Sequence, residues 1–232
     1  MKTIVYIAHP NSAQSGSQQF LLSSGQMLTE ATFIDLHAEF EAHGEFNPQA
    51  EHARLAQYQR IIVQFPLYWY QAPAILKQWM DTVFDMSASM RKLQQHLAQC
   101  EFGVVPIVGV AESEYQAGGR EQRTMSELLS PYETFARYFG MRYLAPFAVY
   151  QFQYMSEEEK FDLMLRYACY LQTGTVANFL TFQDFIIDKI RSLTDKQLDL
   201  SPEDAILFEL FAGDLEQQRD ELDELLNITR DW

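Results

Sequence analysis

The chain is predicted to fold as a doubly wound α/β layer, five parallel strands with helices on both faces, followed by a helical addition. Three observations predict it. Short apolar runs alternate with helical stretches from the N-terminus to about residue 150. The runs, such as Lys2 to Ala8 (KTIVYIA), are nearly continuous in apolar residues, as strands buried on both faces require. Beyond residue 172 the apolar positions take helical spacing only. The expected division is therefore 1–172 for the α/β unit and 173–232 for a helical C-terminal extension.

The elements follow in order. Lys2 to Ala8 is a central strand, broken by His9-Pro10-Asn11-Ser12. Ser15-Gly16-Ser17 precedes a helix over Gln18 to Leu28, with Phe20, Leu21, Leu22 and Leu28 for its core face. Ala31 to Leu36 is the second strand, His37 to Pro48 a polar loop, and Gln49 to Tyr58 a short helix. Gln59 to Phe65 is the third strand and stops at Pro66. An amphipathic helix over Ala74 to Met86 opens just after Pro73, as the N-terminal preference of proline allows. Phe102 to Val110 is the fourth strand, and Ala111 to Arg120 is a loop holding Gly118-Gly119. Glu121 to Phe139 is a long helix, interrupted or entered near Pro131, with Gly140 at its C-terminus. Met141 to Tyr150 is the fifth strand. Ser156 and Glu159 form a capping box for a helix running to about Gln172, closed by Gly174. Val176 to Leu193 has helical spacing, and Ser201-Pro202 starts a last helix that runs to about Asn227.

Composition excludes some partners. A formal net charge of −15 disfavours nucleic acid and anionic membrane surfaces, which need clustered Lys and Arg. Cys100 and Cys169 are far apart, lack metal-ligand spacing and read as free thiols of a reducing compartment. No leader-like segment opens the chain, and no run reaches about 18 apolar residues. A soluble, cytoplasmic protein without a transmembrane segment is expected.

With strand order 2-1-3-4-5, the loops after strands one, three and four meet at the carboxyl edge of the sheet, where ligands bind in such folds. The third-strand loop, Pro66-Leu67-Tyr68-Trp69-Tyr70, carries three aromatics in a row. They either plug the core or stack on a flat, conjugated ligand. The first loop, His9 to Gln18, offers hydroxyls and backbone N–H groups at a helix N-terminus, a place suited to a phosphate. It has no Lys or Arg, and neither a Walker loop nor a G-x-G-x-x-G is present. His37, His43, His52 and His96 show no mutual ligand spacing and read as surface or loop residues. Asp81 and Asp85 read as cap or surface groups, and Met86, Met90 and the Trp79 face as core or dimer contacts.

The resemblance rests on ordered motifs. Ala8-His9-Pro10, the Phe65–Tyr70 run, Lys77-x-Trp79-x-Asp81-x-Val83-Phe84 and Glu112-x-x-Tyr115-x-x-Gly118-Gly119 come first. Glu127-Leu128-Leu129-x-Pro131-x-Glu133-x-x-Ala136-x-x-x-Gly140-Met141 and Leu144-x-Pro146-Phe147 follow. Over about residues 2 to 170 the chain resembles the NAD(P)H:quinone oxidoreductase family, a flavodoxin-like group that includes ancillary subunits of bacterial potassium-efflux systems. The resemblance implies a three-layer flavodoxin-like sandwich binding FMN, or alternatively FAD, with NAD(P)H as electron donor and a quinone or similar electrophile as acceptor, in ping-pong kinetics. It implies that His9, Ser15, Gly16, Ser17 and Gln18 hold the phosphate end. Pro66, Leu67, Tyr68 and Trp69 would line the ring, and Val108, Gly109, Val110 and Ala111 would meet its pyrimidine edge. Tyr115 would act as the catalytic hydroxyl beside the ring. A homodimer through the helices from Ala74 and Glu121, and docking to a membrane transporter, are further implied partners.

Two departures from the family pattern stand out. Val108-Gly109-Val110 replaces Thr-Gly-Gly after strand four, which adds bulk, removes a hydroxyl and bears on flavin affinity. Glu121 stands where some relatives have histidine, and is expected to point away from the ring with Arg120 as the nearer cation. Three functions therefore compete: a flavin-dependent NAD(P)H oxidoreductase, a regulatory flavodoxin-like subunit of a membrane transporter, and a flavin-free scaffold.

Overall fold

The structure is a computed structural model that describes residues 1–85, 88–195 and 202–230. The chain divides into two units, Met1–Val176 and Ala177 onward.

The first unit is built on a parallel sheet. Its strands are β1 (Thr3–Ile7), β2 (Thr32–Asp35), β3 (Arg60–Pro66), β4 (Glu101–Val108), β5 (Arg142–Tyr143) and β6 (Val149–Tyr150). They run in the order β2-β1-β3-β4-β5, with β6 also paired to β4, so the predicted 2-1-3-4-5 arrangement is present. Registers such as Ile4 opposite both Thr32 and Ile61, and Ile61 opposite Phe102, align the strand ends. Side chains alternate between two cores, as the two-residue period of a strand demands. Ile4, Tyr6, Ile61, Val63, Phe65 and Val104 face one core; Val5, Ile7, Ile62 and Val105 face the other.

Helices cover both faces. α1 (Gly16–Leu28) and α8 (Glu157–Thr173) seal the second core with Leu21, Leu163, Tyr167 and Tyr170. The first core is closed by α2 (Leu36–His43), α3 (Pro48–Leu55), α4 (Ala74–Val83), α5 (Ala88–Leu97), α6 (Met125–Leu128) and α7 (Ser130–Tyr138). Trp79 and Met90 are buried there, so they are core and not dimer contacts, while Met86 lies outside the described residues.

The structure corrects four expectations. Residues His37 to His43 are helix, not loop: the Asp35 carboxylate accepts from the N–H groups of His37 and Ala38 and caps α2, and Gly44 ends it at φ +77. The fifth strand is interrupted, because Pro146 has no N–H to give the ladder; Leu144 and Phe147 still donate to the Phe102 and Val104 carbonyls. The helix expected from Glu121 starts at Met125, where Thr124 and Glu127 form a capping box, and breaks at Leu129. His52 is buried and structural, its Nε2 2.6 Å from the Val83 carbonyl and its Nδ1 3.0 Å from Ser89 Oγ. The helix α5 was not foreseen.

The second unit holds α9 (Phe179–Asp195) and α10 (Pro202–Arg230). Arg219 pairs with Asp184 at 2.9 Å, and Arg191 with Glu216, so the two helices form a hairpin. The expected cap Ser201 lies outside the described residues. No helix among the described residues is long and apolar enough to cross a membrane.

Candidate functional site

The carboxyl ends of β1, β3 and β4 bring three loops together. The loops after β1 and β3 touch through His9 and Tyr68, whose ring centroids are 6.5 Å apart. The loop after β3 is also tied to β4 and to the loop beyond it. Leu67 N–H donates to the Ile107 carbonyl at 2.8 Å, and the Tyr70 hydroxyl donates to the Glu121 carboxylate at 2.7 Å.

In the first loop, Ser15 caps α1 by accepting from Gln18 N–H. Its Oγ also lies 3.3 Å from Ser17 Oγ. Ser12 is bonded to Asp35, which anchors the loop to the end of β2. The first turn of any helix leaves N–H groups without intrahelical partners, here those of Gly16 and Ser17, and no acidic residue occupies this turn. A side chain at Gly16 would meet nothing within 4 Å, so the start of α1 is open on that side. Burial lowers the His9 pKa below the usual histidine range. The ring is then neutral at pH 7, with Nδ1 accepting from Asn11 N–H at 2.9 Å and Nε2 carrying the proton. Gln18 differs from expectation. Its side chain is buried beneath the loop, where Oε1 accepts from Gln64 Nε2 at 2.6 Å, and its own Nε2 has no partner.

The loop after β3 is a two-residue hairpin closed by reciprocal backbone bonds between Tyr68 and Gln71. Its central residues, Trp69 and Tyr70, have φ of +49 and +66. Such turns favour glycine, asparagine or aspartate at both places. A bulky residue held in this region costs on the order of 1–3 kcal/mol. Trp69 is 90% exposed, so its side chain has little packing to offset the strain, and the turn is held by its backbone bonds and by Tyr70. The three aromatics do not plug the core: Tyr68 and Tyr70 are exposed as well. Pro66 is buried and Leu67 half-buried.

The loop after β4 starts at buried Val108 and open Gly109. Val110 packs partly against the core below and also lines the space at the rim. A cavity of about 410 Å³ opens here, lined by Gly109, Val110, Ala111, Glu114, Arg120, Gln151 and Tyr154. Tyr115 is buried, and its ring centroid lies 6.3 Å from that of Tyr150. Burial first, then the charge of Glu121, raises its pKa, so the phenol keeps its proton. Gly119 cannot carry a side chain, since a Cβ would sit 2.4 Å from the Glu114 carbonyl oxygen. Glu121 is held by Tyr70 and by Arg120, whose Nε lies 2.9 Å away. These bonds lower its pKa below the usual carboxylate range. Its charge is thus engaged by the two neighbours, one of which, Tyr70, belongs to the aromatic loop after β3.

A larger cavity, about 800 Å³, lies between α6, β6 and α8. Its lining holds Glu112, Glu158, Glu159 and Asp162 against one cation, Arg166, which pairs with Asp162, so the balance is acidic and disfavours a phosphate-bearing ligand. The smaller cavity, on the loop after β4 at the carboxyl edge of the sheet, is the better candidate.

Sequence reasoning missed Gln64, Gln151 and Tyr154, and it named Tyr70 only as part of the aromatic run. A glutamine inside the apolar run of β3 was a readable signal for Gln64; nothing in the sequence brought Gln151 and Tyr154 to this rim.

Comparison with known proteins agrees with this geometry. Residues 1–169 match the family described as having a flavodoxin-like fold. The uncharacterized NAD(P)H oxidoreductase YrkL of Bacillus subtilis (strain 168) is 34% identical over 172 residues, which is 74% of this chain and 98% of that protein. The glutathione-regulated potassium-efflux system ancillary protein KefG of Enterobacter sp. (strain 638) is 33% identical over 149 residues, 64% of this chain and 81% of that protein. A crystal structure from P. pentosaceus described as an NADPH-quinone reductase superposes with a TM-score of 0.66 at 37% identity, covering 75% of this chain and 99% of that one.

Proposed function

Given that the chain belongs to the flavodoxin-like family of NAD(P)H oxidoreductases, we propose that it binds a flavin, FMN in preference to FAD, at the three-loop rim and reduces a quinone or similar electrophile with NAD(P)H. The observation that carries this is solvent-facing Trp69, an aromatic plane held on left-handed backbone at the tip of the turn after β3. The residues present fit the group. Gly16 and Ser17 N–H groups, the Ser15 and Ser17 hydroxyls and the Nε2–H of neutral His9 form an uncharged donor set for a phosphate. Trp69 and Tyr68 offer planes for a ring, and Gly109 and Ala111 leave backbone open beside the cavity. Bound there, a flavin supplies the hydride relay from NAD(P)H to the acceptor, with both substrates using one place in turn.

Tyr115 has the chemistry of a donor. Its phenol is protonated at neutral pH and stands on the same loop as the cavity. Such a hydroxyl stabilises negative charge that develops beside it. Tyr115→Phe is expected to slow NAD(P)H-dependent reduction by roughly a hundredfold while changing flavin affinity far less. Stopped-flow reduction and an equilibrium titration read the two effects separately. An unchanged reductive rate removes Tyr115 from the mechanism.

Trp69→Ala is expected to weaken flavin retention by about tenfold to a hundredfold, as aromatic stacking is worth about 1–3 kcal/mol. The backbone strain persists in alanine, so the loss reports stacking. Wild-type affinity in this variant would overturn the reading.

A second reading is favoured by one observation, the similarity to the ancillary protein KefG. In it the unit docks on a membrane transporter and the redox chemistry is incidental. Flavin binding without turnover on any quinone, together with co-purification of a transporter, would select it. A homodimer and residence in the cytoplasm belong to the proposal as well. So does a boundary between the oxidoreductase unit and the helical extension near residues 172–176.

A further inference from the structure

The helix α10 is apolar on two sides. Ala212 is buried and Phe208 half-buried. Ile206, Leu207, Leu210 and Phe211 are each more than half exposed, at 60%, 66%, 67% and 52%. At 3.6 residues per turn these four fall within an arc of about 140°, on the side opposite Ala212. A helix in water normally shows one apolar stripe, and a second contiguous one marks an interaction surface.

We propose that this stripe of the α9–α10 hairpin seats a cationic amphipathic helix of a partner protein, completing a three-helix arrangement. Charge decides the occupant. From Ala177 onward the sequence holds fourteen acidic and five basic side chains, a net charge of −9. Exposed Glu209 and Asp214 belong to the same stretch of α10 as the stripe, Asp214 one turn beyond Leu210. A second copy of the hairpin laid on the stripe would bring two strongly acidic surfaces together, and an anionic lipid surface would be repelled in the same way. A helix with leucine-like residues on one side and Lys or Arg on the other meets both features. Its apolar side fills the stripe, and its cations face the acidic flanks.

The test uses the full chain and a fluorescein-labelled Leu/Lys peptide, roughly 18 residues long, whose leucines follow helical spacing. Fluorescence anisotropy is expected to show micromolar binding that weakens as salt rises. Leu207→Ser/Leu210→Ser keeps the charge and is expected to weaken binding at least tenfold. A scrambled peptide of the same composition, without a stripe, is expected to bind at least tenfold more weakly to the unaltered chain. Equal binding of the scrambled peptide, or of the double variant, overturns the proposal. So does concentration-dependent dimerisation in sedimentation that the double variant abolishes, since a second copy would then be the occupant. Stripe-dependent binding to neutral phosphatidylcholine vesicles would assign the face to lipid and overturn it as well.

Discussion

Arg60→Met is expected to lower the unfolding free energy of the sheet unit by about 3 kcal/mol. Arg60 opens β3 and is 1% exposed. Its Nε donates to a Glu101 carboxylate oxygen at 2.6 Å, and its Nη1 to the Leu171 carbonyl at 2.8 Å. The guanidinium therefore ties the starts of β3 and β4 to the end of α8. Removing one member of a buried pair leaves the other charge desolvated, a loss of roughly 3–5 kcal/mol. Two contacts hold the loss near the lower bound: Arg142 still pairs with the second Glu101 oxygen, and the Thr3 hydroxyl still donates to Leu171 at 2.9 Å. Urea unfolding should show a lower midpoint with an unchanged slope. Arg60→Met combined with Glu101→Leu should recover part of the loss, because the orphaned carboxylate is gone. A single variant as stable as the unaltered chain would show that the pair does not hold these elements. Arg60 sits at the amino end of the strand, away from the loops, so flavin affinity should not change.

Gly16→Asp separates folding from binding in the opposite direction. A side chain at position 16 enters open space, and an acidic residue in the first turn of a helix is favourable to the helix dipole. The fold should tolerate it or gain slightly. The same carboxylate would stand where the proposed phosphate stands and take the same N–H groups. At an effective dielectric near 20, one pair of like charges about 4 Å apart costs on the order of 4 kcal/mol. FMN affinity should fall at least about a hundredfold, with the melting temperature unchanged or raised. Gly16→Ala serves as control, since it adds bulk without charge. Retained affinity in the aspartate variant would place the phosphate elsewhere.

Much of this fold was legible because its strands are buried on both faces. Thr3–Ile7 and Glu101–Val108 are apolar throughout their centres, the pattern of short strands covered on both faces. Caps were legible where side-chain chemistry is local: Ser156 and Gly174 stand at the helix ends where their residue types put them, while α1 starts at Gly16, two residues before the expected Gln18. Helix α2 was not, because its sequence is polar and its start depends on Asp35, a residue that also ends a strand. The break in the fifth strand was signalled by Pro146 but needed the ladder to β4 to be placed. At the site, the aromatic run suggested a flat ligand, yet the sequence could not reveal that Trp69 and Tyr70 hold left-handed backbone. That conformation is imposed by the two-residue turn between Tyr68 and Gln71. The Tyr70–Glu121 bond spans 51 positions and becomes visible only once β3 and β4 are adjacent.

The most direct test of the account is an FMN titration of the purified, flavin-stripped full chain, following tryptophan and flavin fluorescence. The account predicts saturable one-to-one binding with a dissociation constant in the micromolar range or below, and loss of the flavin's visible absorbance when NAD(P)H is added without oxygen. A folded chain that takes up neither FMN nor FAD at millimolar concentration would contradict it.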